Sequence, residues 1–482
     1  MSRKSLNIRL SSPSSNGSKK EDPVTAVLIG AGLRGREVYG DYAVKHPDRL
    51  KFIAVADPDP ARCSLFQREH NIPAGMAFDS WASLFNSANG KLGDAAFICT
   101  QDRLHYKPAM AALQLNYDLV LEKPVSPFVE ECREIARAAR ESNRIVQVCH
   151  VLRFTPFWQK VKEIVDAGEI GRIIHYDHSE NVSYWHFGHS YVRGHYRKTA
   201  ESSPLILAKS CHDLDLMYWM IGEKPLSVQS MGELTYYRPE NAPAGAPERC
   251  TDGCPAAETC PWHAPRLYIT AEPLLRMGLH APSRMARGLA RLALNHRKTL
   301  KFLSLFNRRL NSILDWDRFP ATVITSDLSV EGKIKALKEG PYGRCIFKCG
   351  NDVVDHQVTT YRFPDGSTGT LTLHGVSDLE GRELRIFGTK GAIRGHFRYN
   401  GEEITVTDFR YSKARTVYRA GLSMGGHGGG DFGLMESFVR VMRGEVPPAE
   451  GGADVENAME AHYMALAAEE ARESGMTVFI ST

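Results

Sequence analysis

The chain has 482 residues, a formal net charge of +4 and 43% hydrophobic residues. This length exceeds one ordinary domain and favours two or three domains of about 100–200 residues each. So small a net charge does not point to nucleic acid, and the sequence has no apolar run of about 18 residues that could span a bilayer. We therefore expect neither nucleic acid nor a membrane as a partner, and a cytoplasmic location.

The first 22 residues are rich in Ser, Lys and Arg and contain no acidic residue before Glu21. They lack an apolar run that could form the core of a signal peptide, so we expect a disordered tail, with an organelle transit peptide as the alternative. Without a secretion signal, the ten cysteines favour thiols or metal ligands over disulfides.

The stretch VTAVLIGAGLRGRE, at residues 24–37, predicts a buried strand that turns sharply into a helix. In this pattern Gly30 makes the turn, Gly32 lets a pyrophosphate approach the main chain, and Gly35 lets the helix lie close to the strand. A second strand, KFIAVAD, ends at Asp57, where a carboxylate can accept the adenosine ribose hydroxyls. These features together predict a dinucleotide site.

Three further strand-like segments follow, at residues 94–99, 117–121 and 145–148, and they alternate with helical segments. This alternation predicts a doubly wound parallel sheet with right-handed crossovers. Because ligands lie beyond the carboxyl ends of such strands, the loop at residues 100–105 is expected over the cofactor. Lys123 stands at a strand end before a proline, so its backbone is expected to be extended and its side chain to face the same crevice.

The GAGLRG turn, Asp57, the loop ending in His105 and above all the triplet EKP at residues 122–124 resemble the Gfo/Idh/MocA family of NAD(P)-dependent sugar oxidoreductases. The resemblance implies an α/β fold class. Its parts are an N-terminal Rossmann dinucleotide-binding domain over residues 23–150 and a C-terminal α+β domain over residues 151–482, with a large, mostly antiparallel open sheet. It further implies a homo-oligomer, either a dimer or a tetramer, and often a cis bond before the proline of the triplet.

By the same resemblance, Glu122 helps to hold the cofactor and Lys123 lies beside the nicotinamide and the reacting hydroxyl. Asp57 favours NAD because a carboxylate repels a 2′-phosphate, whereas Arg62 nearby leaves NADP open. The expected cofactor-binding residues are Gly30, Gly32, Leu33, Arg34, Gly35, Asp57, Thr100, His105, Glu122 and Lys123.

In the second domain, the segment AKSCHDLDLMYWMIG at residues 208–222 predicts a helix that begins near His212. A histidine at a helix start, with Asp215 three residues on, suits proton transfer at a hydroxyl, although a buried histidine satisfied by Asp215 fits the pattern too. The segment resembles the catalytic histidine motif of the family, so Lys123 and His212 are the expected catalytic residues. Many members carry an aspartate four residues before this histidine. Here that position is Ala208, and Lys209 is expected to occupy the space.

Other side chains are candidates for substrate contacts. His150 and Arg153 lie at the domain junction. Residues 181–197 interleave aromatic and basic side chains, which suits a polar or anionic sugar. An aromatic-rich loop packed at an interface explains that stretch equally well. The glycines around His427 allow close approach of a ligand or form a hinge. The expected substrate-contacting residues are His150, Arg153, Trp185, His186, Arg193, Lys209 and Asp215.

An insertion, at residues 238–343, interrupts the second sheet. Its Cys250, Cys254, Cys260 and His263 could bind zinc, although the spacing is not that of a standard finger; free thiols or a local disulfide are the alternatives. Residues 276–309 combine basic residues with apolar residues at helical spacing. Such a stretch either meets an anionic partner or packs its apolar side on the parent domain, and we expect the second.

These features predict an NAD(P)-dependent oxidoreductase that transfers a hydride between the nicotinamide and a sugar or polyol carbon. His212 takes the hydroxyl proton and Lys123 stabilises the alkoxide, or the two exchange roles. One alternative is an NAD-dependent, redox-assisted glycoside hydrolase in which bound NAD is recycled. Another is a dinucleotide-sensing regulator without catalysis, which would need neither Lys123 nor His212.

Overall fold

A computed structural model of the protein describes residues 22–87, 90–281, 283–307, 310–421 and 426–480. The predicted tail lies outside the described residues, except for Asp22. In the described part of the chain, no helix is long and apolar enough to cross a bilayer.

Six parallel strands of the described chain form the first sheet, in the order β3-β2-β1-β4-β5-β6. The strands are β1 (Val24–Ile29), β2 (Leu50–Ala56), β3 (Ala77–Phe78), β4 (Ala95–Ile98), β5 (Asp118–Leu121) and β6 (Val146–Val148). They read as almost continuous apolar runs because both faces of a parallel sheet are covered by helices. The strand order reverses between β1 and β4, and a doubly wound sheet binds its ligand at the carboxyl ends beside that point.

The helices of this half are α1 (Asp41–Lys45), α2 (Pro60–Glu69), α3 (Trp81–Asn86), α4 (Tyr106–Gln114) and α5 (Val129–Ser142). A π-helical stretch, Gly35–Gly40, joins the turn after β1 to α1. Helix α5 shows how the sequence sets the packing: its apolar side chains at helical spacing all face the sheet. They are Cys132, Ile135, Ala136 and Ala139.

Nine described strands form the second sheet, in the order β14-β13-β12-β11-β7-β10-β9-β8-β15. Its pairs are antiparallel except for β7 with β10, so the predicted, mostly antiparallel sheet and the fold class are confirmed. The strands are β7 (Ile173–Ser183), β8 (Ser227–Glu233), β9 (His356–Arg362), β10 (Thr368–Ser377), β11 (Gly381–Gly388), β12 (Gly391–Arg398), β13 (Gly401–Asp408), β14 (Lys413–Ala420) and β15 (Val478–Phe479).

The remaining helices follow β6 along the chain, and those between β8 and β9 belong to the insertion. They are α6 (Pro156–Asp166), α7 (Tyr184–Phe187), α8 (Leu205–Ala208), α9 (Cys211–Ile221), α10 (Ala264–Tyr268), α11 (Glu272–Gly278), α12 (Arg284–Asn295), α13 (Arg297–Ser304), α14 (Asn311–Leu314), α15 (Ala321–Ile324), α16 (Val330–Glu339), α17 (Gly430–Met442) and α18 (Val455–Ser474). The chain leaves the sheet for residues 234–355, a wider span than the predicted insertion.

Two C-terminal helices join the halves of the molecule. Helix α17, which we expected in the second domain, packs Leu434, Met435 and Phe438 into the core beneath β1. Helix α18 contributes its first turns to the core of the first sheet and its later turns to the core of the second. The carboxyl ends of the first sheet and the start of α9 are therefore held at one interface.

Substitution of Gly35 tests the packing of the turn. A Cβ at this position would lie 2.1 Å from the carbonyl oxygen of Gly30. Main-chain atoms cannot easily move away, so the loss of stability should lie at the upper end of the usual range for overpacking. Gly35→Ala is therefore expected to lower the free energy of unfolding by about 3 kcal/mol in a urea titration. In Gly75→Ala the new Cβ meets nothing within 4 Å, and the change should stay below about 0.5 kcal/mol. Equal stability of the two variants would contradict this packing.

Candidate active site

The turn after β1 has the shape that a dinucleotide requires. Gly30 has φ +97°, and a Cβ there would lie 2.6 Å from the carbonyl oxygen of Cys99. Beside Gly32 the space is open: within 4 Å a Cβ would meet only the Arg62 guanidinium, at 3.9 Å. Leu33, the next residue, is exposed. An open approach to the main chain, with a cation at its edge, fits a pyrophosphate.

Asp57 anchors this turn from the end of β2. One carboxylate oxygen accepts the Ala31 N–H at 2.8 Å, and the other accepts the Asp59 N–H at 2.8 Å. Arg62 lies 3.4 Å from the same carboxylate and is half exposed. The predicted ribose-binding acid therefore also holds the main chain of the turn, with a guanidinium next to it.

Arg34 is largely buried and links three segments of the chain. Its guanidinium lies 2.6 Å from Glu122 at the end of β5 and 2.9 Å from Asp431 in α17, and it donates to Tyr39 at 2.9 Å. The Tyr39 hydroxyl in turn donates to Glu122. Burial alone would raise the pKa of Glu122, but Arg34 and Tyr39 lower it below its ordinary value. Glu122 and Arg34, both predicted to touch the cofactor, thus pair with each other.

The loop at residues 100–105 is fixed to the strand end that carries Lys123. The His105 ring contacts the carbonyl oxygens of Pro124 at 2.7 Å and Thr100 at 2.9 Å. The peptide bond between Lys123 and Pro124 is cis, as the family resemblance implied. Thr100 and His105 therefore stand next to the EKP triplet; their predicted position over the cofactor stays a prediction.

Lys123 and His212 meet at the interface between the two halves. The Lys123 ammonium donates to the carbonyl oxygen of Ala208 at 2.9 Å, just before α9. His212, in the first turn of α9, is 3% exposed, and neither ring nitrogen has a hydrogen-bond partner among the described residues. Burial, then the charge of Lys123 and the neighbouring histidines, lowers the pKa of His212 well below its ordinary value. The ring is therefore a neutral, unoccupied proton acceptor.

Three more histidines surround it. The His212 ring centroid lies 5.8 Å from that of His150 and 5.7 Å from that of His427, and His150 stacks edge-on with His462 at 5.5 Å. His427 is held by Asp431 at 3.1 Å. Burial lowers the pKa of His150 and of His427. The sequence marks His150, His212 and His427 as separate candidates, but it gave no sign of His462 or of the grouping, because the four histidines come from distant segments.

The predicted substrate residues divide into two groups. Arg153 pairs with Asp215 through two contacts of 2.6 Å, so Asp215 does not satisfy His212. The Lys209 ammonium, which we expected in the space of the missing aspartate, lies 3.1 Å from Glu180. Glu180 also pairs with Arg382 at 3.0 Å, so a buried charge network lies behind α9.

The second group of predicted substrate residues makes contacts within the protein, mostly with the insertion. Arg193 is 1% exposed and donates to the carbonyl oxygens of Arg344 and Trp262 at 2.9 and 2.8 Å, so it is not free to bind substrate as we expected. Trp185 packs in an apolar cluster with α10 and donates to Met277. His186 lies 2.8 Å from Glu380. The interface explanation of this stretch fits Trp185 and Arg193 better.

The zinc hypothesis is not supported. Among the residues that the structure describes, no three His, Cys, Asp or Glu side chains form a group that could hold a metal ion. His263 instead contacts the carbonyl oxygen of Cys250 at 3.3 Å, and Cys254 and Cys260 pack at the edge of an apolar cluster. The four side chains predicted to bind zinc therefore do not form a metal site in the described structure.

The sequence matches two known domain descriptions. Residues 24–150 match the oxidoreductase family with NAD-binding Rossmann fold, and residues 158–259 match the GFO/IDH/MocA C-terminal domain. The chain is similar to the YteT protein of Bacillus subtilis (strain 168), with 25% identity over 398 residues that cover 80% of this chain and 82% of that protein.

Two further comparisons bear on function and fold. The 2,7-anhydro-N-acetylneuraminate hydratase of Escherichia coli (strain K12) is 25% identical over 205 residues, 42% of this chain and 51% of that protein, so the chain spans about half of its length. The solved structure of a levoglucosan dehydrogenase, in complex with NADH and levoglucosan, has a TM-score of 0.63 and 15% identity, covering 96% of this chain and 100% of that one. This last likeness shows a shared fold.

The neutral state of His462 yields a prediction about stability. Its Nε2 accepts the N–H of Val125 at 2.9 Å, and burial lowers its pKa to about 3. An unfolded histidine binds a proton below about pH 6.5, so acid favours the unfolded state between pH 6.5 and 3. His462→Gln should therefore reduce the loss of unfolding free energy between pH 6.5 and 4.5 by about 2 kcal/mol, measured by urea titration.

The exposed His280 supplies the control. His280→Gln should leave that pH dependence as in the wild type. If His462→Gln does the same, the ring is not buried in its neutral form.

Proposed function

Because the chain belongs to the Gfo/Idh/MocA family of NAD-binding oxidoreductases, we propose that it transfers a hydride between a nicotinamide dinucleotide and a hydroxyl-bearing carbon of a sugar or polyol. The observation that carries this proposal is that the Lys123 ammonium is bonded to the Ala208 carbonyl just before α9, where its charge acts on the unpartnered His212 ring in the first turn of that helix. A dinucleotide-sensing regulator would need neither proton-transfer group.

The cofactor fits the residues of the turn. The open approach to Gly32 would admit the pyrophosphate, with Asp57 beside the adenosine ribose. The dinucleotide, when bound, supplies the hydride acceptor or donor at its nicotinamide ring. Arg34 and Glu122 act on the cofactor through the shape of the turn, since their charges are already paired.

Proton transfer falls to His212. In the oxidation direction its free ring nitrogen accepts the proton of the substrate hydroxyl, and the Lys123 ammonium stabilises the negative charge that develops on that oxygen. In the reduction direction His212 returns the proton. The neutral state of the ring at ordinary pH makes it ready to act as a base.

The substrate class rests on the surrounding side chains and on the relatives. His150, Arg153, Lys209 and Asp215 offer polar groups close to α9, and the solved structure of similar fold is a dehydrogenase with bound levoglucosan. A sugar or polyol with several hydroxyls suits such a site. A homo-oligomer and a cytoplasmic location belong to the same proposal.

A second candidate is the redox-assisted cleavage of a glycoside, in which the hydride returns to the substrate. One relative is by name a 2,7-anhydro-N-acetylneuraminate hydratase. A screen of sugars, polyols, sugar acids and glycosides with NAD and NADP separates the two. Turnover with net formation of reduced nicotinamide supports the dehydrogenase, and product release without it supports the hydrolase.

Removal of either proposed catalytic group should slow turnover strongly. A positioned acid or base is worth about 10²- to 10⁴-fold in rate, so His212→Ala and Lys123→Ala should each lose that much in kcat. The Kd for NADH, measured by its fluorescence, should stay within about threefold of the wild-type value because the cofactor turn is unchanged.

Matched controls are the exposed His280 and Lys107. His280→Ala and Lys107→Ala should keep wild-type kcat. If both site variants behave like these controls, the assignment of the catalytic groups is wrong.

Cofactor choice should depend on Arg62. Its half-exposed guanidinium lies beside Asp57, where a 2′-phosphate would sit, and a hydrogen bond to a charged group is worth about 1.5–3 kcal/mol. NAD is the expected cofactor because of Asp57. Arg62→Ala should weaken NADPH binding about tenfold and change NADH binding less than about twofold. Arg68→Ala, an exposed site on the same helix, is the control, and an equal loss for both cofactors would contradict this role.

A further inference from the structure

The insertion contains a long segment without acidic residues. Between Glu272 and Asp315 the chain has no Asp or Glu, while it carries nine basic residues. They are Arg276, Arg284, Arg287, Arg291, Arg297, Lys298, Lys301, Arg308 and Arg309. The small net charge of the whole chain conceals this local excess.

We expected the apolar side of this segment to pack on the parent domain, but its helices pack on one another. Leu275 of α11, Ala293 of α12, Leu300 of α13 and Leu314 of α14 form a small apolar core of their own. That packing does not use all of the apolar side chains. At the end of α13, Phe302 is 59% exposed, Leu305 76% and Phe306 78%.

The exposed apolar side chains lie together on one face. Residues at positions i, i+3 and i+4 of a helix are neighbours, and backbone hydrogen bonds from Leu305 to Phe302 and from Phe306 to Leu303 continue the helical turn beyond α13. The rings of Phe302 and Phe306 pack edge to face, with centroids 5.4 Å apart.

Two lysines border this apolar group. Lys298 precedes Phe302 by four residues, and Lys301 precedes Leu305 by four, so each lies one turn away on the same face. Both are exposed, and neither forms an ion pair with any residue that the structure describes. We call Lys298, Lys301, Phe302, Leu305 and Phe306 the basic apolar tip.

We propose that the basic apolar tip docks on an anionic lipid surface. Aromatic and aliphatic side chains at the end of a basic helix enter the boundary between headgroups and acyl chains, while lysines contact the anionic headgroups. A nucleic acid would use the positive charge but would leave Leu305 in water. This proposal departs from our expectation of no membrane partner, which relied on the net charge of the whole chain.

Co-sedimentation with vesicles tests the proposal on the full-length protein. The protein should bind phosphatidylcholine vesicles that contain about 30% phosphatidylserine, should not bind pure phosphatidylcholine vesicles, and should dissociate as NaCl rises from about 0.1 to 0.5 M. The triple variant Phe302→Ser, Leu305→Ser, Phe306→Ser and the double variant Lys298→Glu, Lys301→Glu should each weaken binding at least about tenfold.

The insertion also supplies matched controls. Lys335 and Lys338 are exposed on α16, and Phe479 is 78% exposed elsewhere. The double variant Lys335→Glu, Lys338→Glu and the variant Phe479→Ser should bind anionic vesicles like the wild type. All of these variants should keep wild-type turnover, because none of the residues belongs to the proposed active site.

Several outcomes would overturn the proposal. The wild type could fail to bind anionic vesicles, or the tip variants could bind these vesicles as well as the wild type does. Two others are a change of oligomeric state in the tip variants without vesicles, which would make the tip a contact between copies, and tighter binding of a short DNA duplex than of anionic vesicles at equal salt.

Discussion

The site depends on one largely buried cation. Arg34, in the turn after β1, is paired at once with Glu122 at the end of β5 and with Asp431 in α17. A buried charge is tolerated only where partners compensate it, and loss of one partner leaves the others uncompensated. Burial opposes ionisation of Asp431, yet His427 and Arg34 hold its pKa at about 2. The phosphate-binding turn, the strand end before Lys123 and the loop at His427 therefore form one electrostatic unit.

A second consequence of burial is a group of neutral histidines. His150, His212 and His462 are buried between the two halves, whereas His427 is partly exposed, and desolvation is the first cause that lowers each pKa. Neutral rings can accept protons or hydrogen bonds without adding positive charge beside Lys123. The same burial that keeps His212, the proposed base, neutral is expected to make the fold sensitive to acid through His462.

The features that the sequence predicted well are local ones. The glycine turn, the periodicity of α5 and the extended residue before Pro124 depend on neighbouring residues, so the first sheet could be expected from them. The mostly antiparallel second sheet and the neighbourhood of Lys123 and His212 were expected from the family resemblance. The contacts between distant segments could not. The sequence around Arg34 does not predict its pairing with Glu122 or Asp431. The sequence around Arg193 does not predict that its N–H groups donate to main-chain carbonyls of the insertion. Cysteine spacing likewise carried no information on whether the side chains converge.

The absence of an acid at Ala208 gives the site its electrostatic character. The Lys123 ammonium is held there by a main-chain carbonyl, which orients the charge without cancelling it. A carboxylate at that place would offset the ammonium and raise the pKa of a nearby imidazole, whereas the uncancelled charge lowers it. Lys209 does not restore the balance because Glu180 takes its charge. In the proposed reaction the neutral imidazole takes the hydroxyl proton and becomes an imidazolium, while the Lys123 ammonium stabilises the oxygen anion that remains.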